Sequence, residues 1–388
     1  MRIQRGFKVK IYPTPEQEQQ LLRTAGACRW IYNHYLEERT NYYLEHQKTL
    51  TYKEMSANMT RLRKELEWLS DTRLQTLQQS LRQLEDAYKR FFRNDSKFPK
   101  FKNKYGNQSF RKVTGWSVNN NKLFIMEGLT VSFRGKLPIS REGTLTISRD
   151  KTGSWFASAQ GFEERNQPKL NGSIGLDFGL KNLVITSNGE KFNNIRSLDG
   201  LTVQIRSAQK ALSRKQKGSN NRAKAKLALA RLHKKVESKR TNHLHHVSKA
   251  IVGKNQATIV VEDLAIQNMM KNRRLARTIG DAGWGDLLRM VTYKQEWAGG
   301  KVIKINRFFP SSKTCSECNF VRKDMSLSVR NWLCPSCGIE HDRDINAALN
   351  ILKQGVERLG VEKKALALAS AKVKLSSVKH GNEQIALG

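Results

Sequence analysis

Asp177, Glu262 and the neighbouring pair Asp342 and Asp344 are the acids of this chain whose settings suit metal chemistry. Asp177 follows Ile174-Gly175-Leu176, Glu262 closes Ala257-Thr258-Ile259-Val260-Val261, and Asp344 stands in His341-Asp342-Arg343-Asp344-Ile345-Asn346-Ala347-Ala348. A carboxylate at the end of an apolar strand is costly unless it is paired or bound to a cation. Oxygen ligands hold hard divalent ions. Two such ions, about 3.5–4 Å apart, activate water and stabilise the leaving oxygen when a phosphodiester is hydrolysed. Each acid alone fits an N-cap or a surface carboxylate equally well, Asp342 above all. Together the three sites point to metal-dependent cleavage of nucleic acid. Intervals of 85 and 82 residues between them fit a sheet interrupted by insertions.

The cysteines call for different chemistry. Cys315-Ser316-Glu317-Cys318 and Cys334-Pro335-Ser336-Cys337 are two C-x2-C pairs with 15 residues between them. Each pair offers two thiolates from one turn, and four thiolates make a closed tetrahedral zinc site with no open position. The expected role is structural: one zinc ion holding a small ribbon that has too little core to fold alone. Cys28, the fifth cysteine, falls on an apolar helical stripe and reads as a buried thiol.

These side chains need elements to position them. Phe7–Tyr12 alternates like a strand. Thr14-Pro15-Glu16-Gln17 is a capping box, opening a helix with Ala25, Cys28, Tyr32 and Leu36 on one face. A second helix is expected from Thr51, with Glu54 three residues on and a stripe of Met55, Met59, Leu62, Leu66 and Leu69. A third carries Leu74, Leu77, Leu81, Leu84, Tyr88 and Phe91. Short strands are expected at Phe98–Lys102, Asn121–Ile125, Thr144–Ile147 and Ser154–Ala159, forming a small barrel to about Gly161. A polar linker, Glu163–Asn171, leads to a second domain. That domain opens with the Asp177 strand and a return strand, Leu183–Thr186, before a Ser187-Asn188-Gly189 turn. Two basic helices follow.

The chain has 388 residues, 70 Lys and Arg, 34 Asp and Glu, and a formal net charge of +36. Such charge neutralises phosphates and releases counterions, so DNA or RNA is the expected partner. Between Val203 and Lys254 there are 15 Lys or Arg and one acid, Glu237. Ordinary surfaces mix signs, so this stretch reads as a phosphate-contacting surface, with Lys224, Lys226, Lys234 and Lys235 as candidates. No apolar run is long enough to span a bilayer, and the first residues lack a signal-peptide core, so a cytoplasmic protein with no membrane partner is expected.

Gly175-Leu176-Asp177-Phe178-Gly179-Leu180, Val261-Glu262-Asp263-Leu264, Asp281-Ala282-Gly283-Trp284-Gly285, Phe309-Pro310-Ser311-Ser312-Lys313-Thr314-Cys315 and Asp342–Ile351 carry a family resemblance. So do Tyr32-Asn33-His34 and Ala87–Phe92. The sequence resembles TnpB, the OrfB-type protein of bacterial insertion sequences, related to the compact type V CRISPR effectors. The likeness covers almost the whole chain and fades after about residue 355.

The resemblance implies an α/β and α+β multidomain protein. Its parts would be a wedge β-barrel (1–13 and 97–165) with an inserted helical recognition bundle (14–96), an RNase H-like RuvC nuclease domain (172–309 and 341–354, with basic helices over 201–252), an inserted zinc ribbon (310–340) and a basic tail (355–388). It implies an RNA-guided DNA endonuclease using two magnesium or manganese ions on Asp177, Glu262 and Asp344. Asp344 is preferred to Asp342 because it matches the family's acid two residues before the Asn. A guide RNA from the transposon end would pair with double-stranded target DNA, the protein acting as a monomer and reading a short flanking motif. By similarity, Tyr52, Ser56, Gln75, Gln78 and Asn119 fall near that motif-reading surface; Gln and Asn can bond an adenine edge bidentately. Some relatives have lost the acids, so a guided repressor or transposition regulator without cleavage is the alternative.

Overall fold

The computed structural model describes residues 1–137, 143–326 and 328–360. They form two units: Met1–Arg165 with Ala211–Arg231, and Asn166–Lys210 with Leu232–Gly388, the latter described as far as residue 360. No helix among the described residues is long and apolar enough to cross a membrane.

In the first unit, β1 (Arg2–Tyr12) precedes four helices, α1 (Pro15–His46), α2 (Tyr52–Glu65), α3 (Glu67–Ser70) and α4 (Leu74–Phe92). Six strands follow: β2 (Gln108–Lys112), β3 (Ser117–Asn119), β4 (Lys122–Met126), β5 (Leu129–Arg134), β6 (Leu145–Arg149) and β7 (Trp155–Glu164). The sheet order is β2-β6-β7-β1-β5-β4-β3, with antiparallel pairings. α1 starts where the capping box places it: Gln17 N–H donates to Thr14 Oγ1, and Thr14 N–H to Gln17 Oε1. Thr51 and Glu54 cap α2 the same way. One apolar core links Ile11, Leu21, Ile31 and Leu36 with Leu77, Leu81 and Leu84 of α4 and with Leu123, Val131, Ile147 and Ala157 of the sheet.

Four local expectations are corrected here. Phe98–Lys102 is no strand and belongs to no regular element. Its backbone is held by a side chain: Asn33 Nδ2 donates to Lys102 O at 2.9 Å, and Lys102 N–H donates to Asn33 Oδ1 at 2.7 Å. Phe98 meets Tyr88 and Phe91 edge-on. The second helix breaks at Leu66, whose φ of −107° and ψ of 96° are extended, so Leu69 reaches the core from α3. β7 runs past Gly161, because Glu163 and Glu164 pair with Ile3 and Arg2 at the start of β1. β2, β3 and β5 were not anticipated.

The second unit begins with β8 (Ser173–Phe178), β9 (Asn182–Thr186) and β10 (Lys191–Asn193), an antiparallel meander. The basic helices are α5 (Thr202–Ser213) and α6 (Asn220–Val252), whose stretch Ala211–Arg231 is counted with the first unit. Then come β11 (Thr258–Glu262), α7 (Ile266–Met269), α8 (Ala276–Ala282), α9 (Trp284–Trp297) and β12 (Lys301–Ile305), with β13 (Asn331–Leu333) and β14 (Glu340–Asp342) in the cysteine region. The final helix, α10, spans residues 343–360. It therefore takes in the first residues of the expected tail; 361–388 lie outside the described residues.

The sheet order is β10-β9-β8-β11-β12, with β11 parallel to both β8 and β12. Successive side chains on a strand face opposite ways, which sorts the sheet into two faces. Ile174, Leu176, Ile259 and Val261 pack with Leu244, Val247 and Ile251 of α6 and with Leu287 and Val291 of α9. On the other face lie Gly175, Asp177, Val260 and Glu262, and α10 covers it. A Cβ on Gly175 would meet the α10 backbone at Ala348 and Leu352, and a Cβ on Gly355 would meet Val260. Glycine at both crossings lets the helix lie directly on the strands.

Candidate active site and metal centre

The parallel register pairs Val261 with Leu176. Asp177 and Glu262 come one step later on adjacent strands, on the face that α10 covers. Asp344 stands in the first turn of α10. Burial, followed by the charges of Glu262 and Asp344, pushes the Asp177 carboxyl well above the usual carboxylate range, against the pull of Arg343 and the Phe178 amide. Glu262 is raised by burial, and a hydrogen bond from Ser311 Oγ opposes that shift. Asp344 pairs with Arg330 at 3.3 Å. Asp177 thus feels both other predicted acids at this end of the sheet, and a bound cation would relieve that repulsion.

Asp342 has another task. Its Oδ1 accepts from the amides of Asp344 at 3.0 Å and Ile345 at 3.2 Å, so it caps α10. Its Oδ2 pairs with Lys191 at 2.6 Å. Asp263, next to Glu262, pairs with Lys304 at 3.2 Å and with Arg307. Supports for the Asp177 strand were not foreseen: Trp284 Nε1 donates to Gly179 O at 3.3 Å, and Asn194 Nδ2 to Leu180 O at 3.0 Å. Asp281, buried, accepts from the Leu198 amide at 3.0 Å and lies 3.7 Å from Arg240. The signal for Trp284 was its motif; nothing in the spacing pointed to Gly179.

The ligand atoms of Cys315, Cys318, Cys334 and Cys337 all lie within 4.8 Å of one another, the one such group among the described residues. The Sγ atoms of Cys315 and Cys337 are 3.7 Å apart, those of Cys318 and Cys334 3.6 Å. A tetrahedron with zinc–sulfur bonds of about 2.3 Å has edges of about 3.8 Å, so the quartet fits zinc. The two turns repeat one design. Cys315 N–H donates to Phe320 O at 2.8 Å and Cys334 N–H to Ile339 O at 2.9 Å. Asn319 and Gly338, each just after a second cysteine, have φ of 63° and 73°. His341 Nε2 lies 3.1 Å from Cys315 Sγ, a contact that the sequence did not advertise. Cys28 sits apart in the first unit's core, its thiol pushed up to about 11 by burial.

Of the predicted nucleic-acid residues, Gln78 Nε2 donates to Ser56 Oγ at 3.3 Å, and Gln75 Oε1 accepts from Thr114 Oγ1 at 2.7 Å. The Arg82 guanidinium lies 5.7 Å from the Tyr52 ring centre. Asn119 is exposed on β3. On α6, Lys224, Lys226 and Lys235 are exposed, while Lys234 pairs with Glu237 at 3.3 Å.

Comparison with known proteins joins these observations. A family profile described as "Probable transposase", of the OrfB type of IS605, matches residues 157–273. A "Cas12f1-like, TNB domain" profile matches residues 284–351. A Streptomyces pristinaespiralis protein named for RNA-guided DNA endonuclease activity is 39% identical over 364 residues, 92% of this chain and 90% of that one. The chain belongs to the OrfB/TnpB family. An Escherichia coli K12 protein of this family, InsQ, named in the same way, is 32% identical over 376 residues, 92% of this chain and 93% of its own. The fold matches a solved Cas12f1–guide RNA–target DNA complex with a TM-score of 0.58 at 12% identity, over 90% of this chain and 98% of that one. A third profile, matching residues 1–48, is described as a helix-turn-helix domain. In this TnpB-family chain those residues form one strand and one unbroken helix.

Proposed function

We propose that this chain is an RNA-guided DNA endonuclease whose cutting residues are Asp177, Glu262 and Asp344. The observation that carries the reading is the meeting of these carboxylates at one end of the five-stranded sheet, where burial and then the charges of Glu262 and Asp344 raise Asp177. The names of the full-length relatives support guided cleavage, and the basic helices supply the surface such a complex needs. A meander of three antiparallel strands followed by two strands parallel to the first supports an RNase H-like, RuvC-type nuclease domain. The first unit takes the part of wedge and recognition bundle, holding the guide–target duplex by its backbone while base pairing reads the sequence. Tyr52, Ser56, Gln75, Gln78 and Asn119 are assigned to the flanking-motif surface.

The three acids are oxygen donors and suit magnesium or manganese. Bound there, the ions would activate water and stabilise the leaving oxygen. The chain's own contribution is to hold three carboxylates on rigid elements, two on neighbouring strands and one on a capped helix. The cysteine site has no open position and serves structure.

The test is purification of the full chain from cells that carry its element. The expected result is one discrete bound RNA, and magnesium-dependent cutting of a plasmid matched to that RNA. A complex that leaves every matched plasmid intact, with wild type and Asp177→Ala alike, refutes the reading.

A further inference from the structure

We propose that Pro310–Ser316 is a brace between the zinc ribbon, α10 and the active site, and that Ser311 is the positioning residue that sets the Glu262 carboxylate. The inference rests on the reading of Glu262 as a cutting residue. Ser311 is buried, and its Oγ donates to Glu262 Oε1. A serine hydroxyl has one proton to give, so this bond fixes one carboxylate oxygen and with it the plane of the other.

The brace is itself held from behind. Asn350 Nδ2 donates to Ser311 O at 2.8 Å and to Thr314 O at 2.6 Å. Asn346, one turn earlier on α10, donates to Thr314 O at 2.7 Å and accepts from the Ser316 amide at 2.9 Å. Both asparagines are almost completely buried, at 1% and 2% exposure. Buried amides are kept where their hydrogen bonds are satisfied, and these two are spent on a single seven-residue segment that ends one residue past a zinc ligand, Cys315. Asp344 lies on the same helix as both. The brace therefore ties Glu262 to the element that carries Asp344.

The choice of partner matters. Neighbouring Asp263 is paired with two cations, Lys304 and Arg307. Glu262 receives a neutral donor instead, which orients the carboxylate and leaves its charge available for a metal ion.

The experiment compares wild type, Ser311→Ala and Ser311→Thr as full-length chains freed of nucleic acid. Manganese(II) binding is read by electron paramagnetic resonance, counting only the sites that Asp177→Ala loses. Groups that orient a ligand typically change metal affinity by about 10–100-fold. Ser311→Ala is expected to weaken manganese by that factor, with zinc content and guide RNA binding unchanged, and Ser311→Thr, which keeps the hydroxyl, to restore it. In the guided complex, Ser311→Ala should need correspondingly more manganese for half-maximal cutting. Unchanged manganese affinity in Ser311→Ala overturns the proposal, as does a Ser311→Thr chain as weak as Ser311→Ala. Loss of zinc or of RNA binding in Ser311→Ala also overturns it, since the residue would then be merely structural. Failure of the wild-type complex to cut would instead strike the function reading, because the manganese comparison stands without cleavage.

Discussion

Gly175 touches the backbone of Ala348: a Cβ built on Gly175 would lie 2.2 Å from the Ala348 carbonyl oxygen. The contact brings α10 flat against β8 and with it Asp344 toward Asp177. Position 175 thus governs a distance between two acids 167 residues apart in sequence.

Gly175→Ala should accordingly lift α10 from the sheet. Overpacking of this kind costs about 1–3 kcal/mol. Thermal unfolding should register the loss, and plasmid cutting should fall further than the loss of folded protein explains. A variant with wild-type stability and cutting would mean that the helix sits elsewhere.

Asp177→Ala, Glu262→Ala and Asp344→Ala should each lower cutting by about a thousandfold or more, as the loss of several kcal/mol of metal-borne stabilisation implies. Binding of guide and target should stay near wild type. Asp342→Ala should keep measurable cutting while losing about 1 kcal/mol of stability, because it removes a helix cap. Rate measurements on a labelled plasmid separate the two classes. Abolished cutting in Asp342→Ala beside an active Asp344→Ala would exchange their roles.

How legible was this in the sequence? Acids closing apolar strands stood out because a charge in that setting needs a reason, and the C-x2-C pairs because few other uses fit their spacing. The brace was not legible: Ser311 and Asn350 are 39 residues apart and meet only after α10 docks. Phe98–Lys102 has the composition of a strand, yet it pairs with no strand, and at Lys102 the backbone N–H and carbonyl bond the Asn33 side chain instead. β5, with Leu129, Val131 and Phe133 alternating inward, was open to a period-of-two reading and was missed. Pairing is a property of partners, and local pattern names none of them.

Native, zinc-loaded chain should carry one zinc and expose no slow-reacting fifth thiol to Ellman's reagent. Adding a mercurial should release that zinc from Cys315, Cys318, Cys334 and Cys337. Cys28, buried and with its thiol pushed up to about 11, should react only after denaturation. Cys28→Ser should leave zinc content and cutting unchanged. Folded, active protein without zinc on elemental analysis would remove the metal from the ribbon.

Reversing Lys224, Lys226, Lys234 and Lys235 to Glu should weaken RNA binding with little change in sequence preference, since phosphate contacts position and do not specify. Lys234 is already committed to Glu237, which leaves three lysines free to neutralise phosphates. Each phosphate no longer neutralised takes roughly 0.7–0.9 from the slope of log affinity against log salt, so the slope should shrink by about 2 to 3. Binding titrations across salt concentrations give the slope directly. An unaltered slope would leave these lysines facing solvent.

Asp177 and Glu262 also make stability depend on pH. Burial raises both folded pKa values from the ordinary carboxylate value, that of Asp177 strongly. Their contribution is therefore fully present below that ordinary value and is lost as pH rises through the raised values. In magnesium-free buffer the chain should melt at progressively lower temperature over that upward span. Asp177→Asn should flatten the trend, and added magnesium should reverse it in wild type only. A chelator is unsuitable here because it would also strip zinc. Calorimetric scans showing the same trend in both chains would place the cause elsewhere.

The late position of α10 bears on how the molecule is made. The last basic helix, α6, is synthesised 92 residues before residue 344, so a nascent chain acquires its proposed phosphate-binding surface first and its full set of carboxylates last. A message cut short, or a stalled ribosome, would yield a chain able to hold nucleic acid and lacking the third acid. For a protein proposed to cut DNA in the cell that encodes it, translation order would then withhold cutting until the helix that packs on Gly175 has been made.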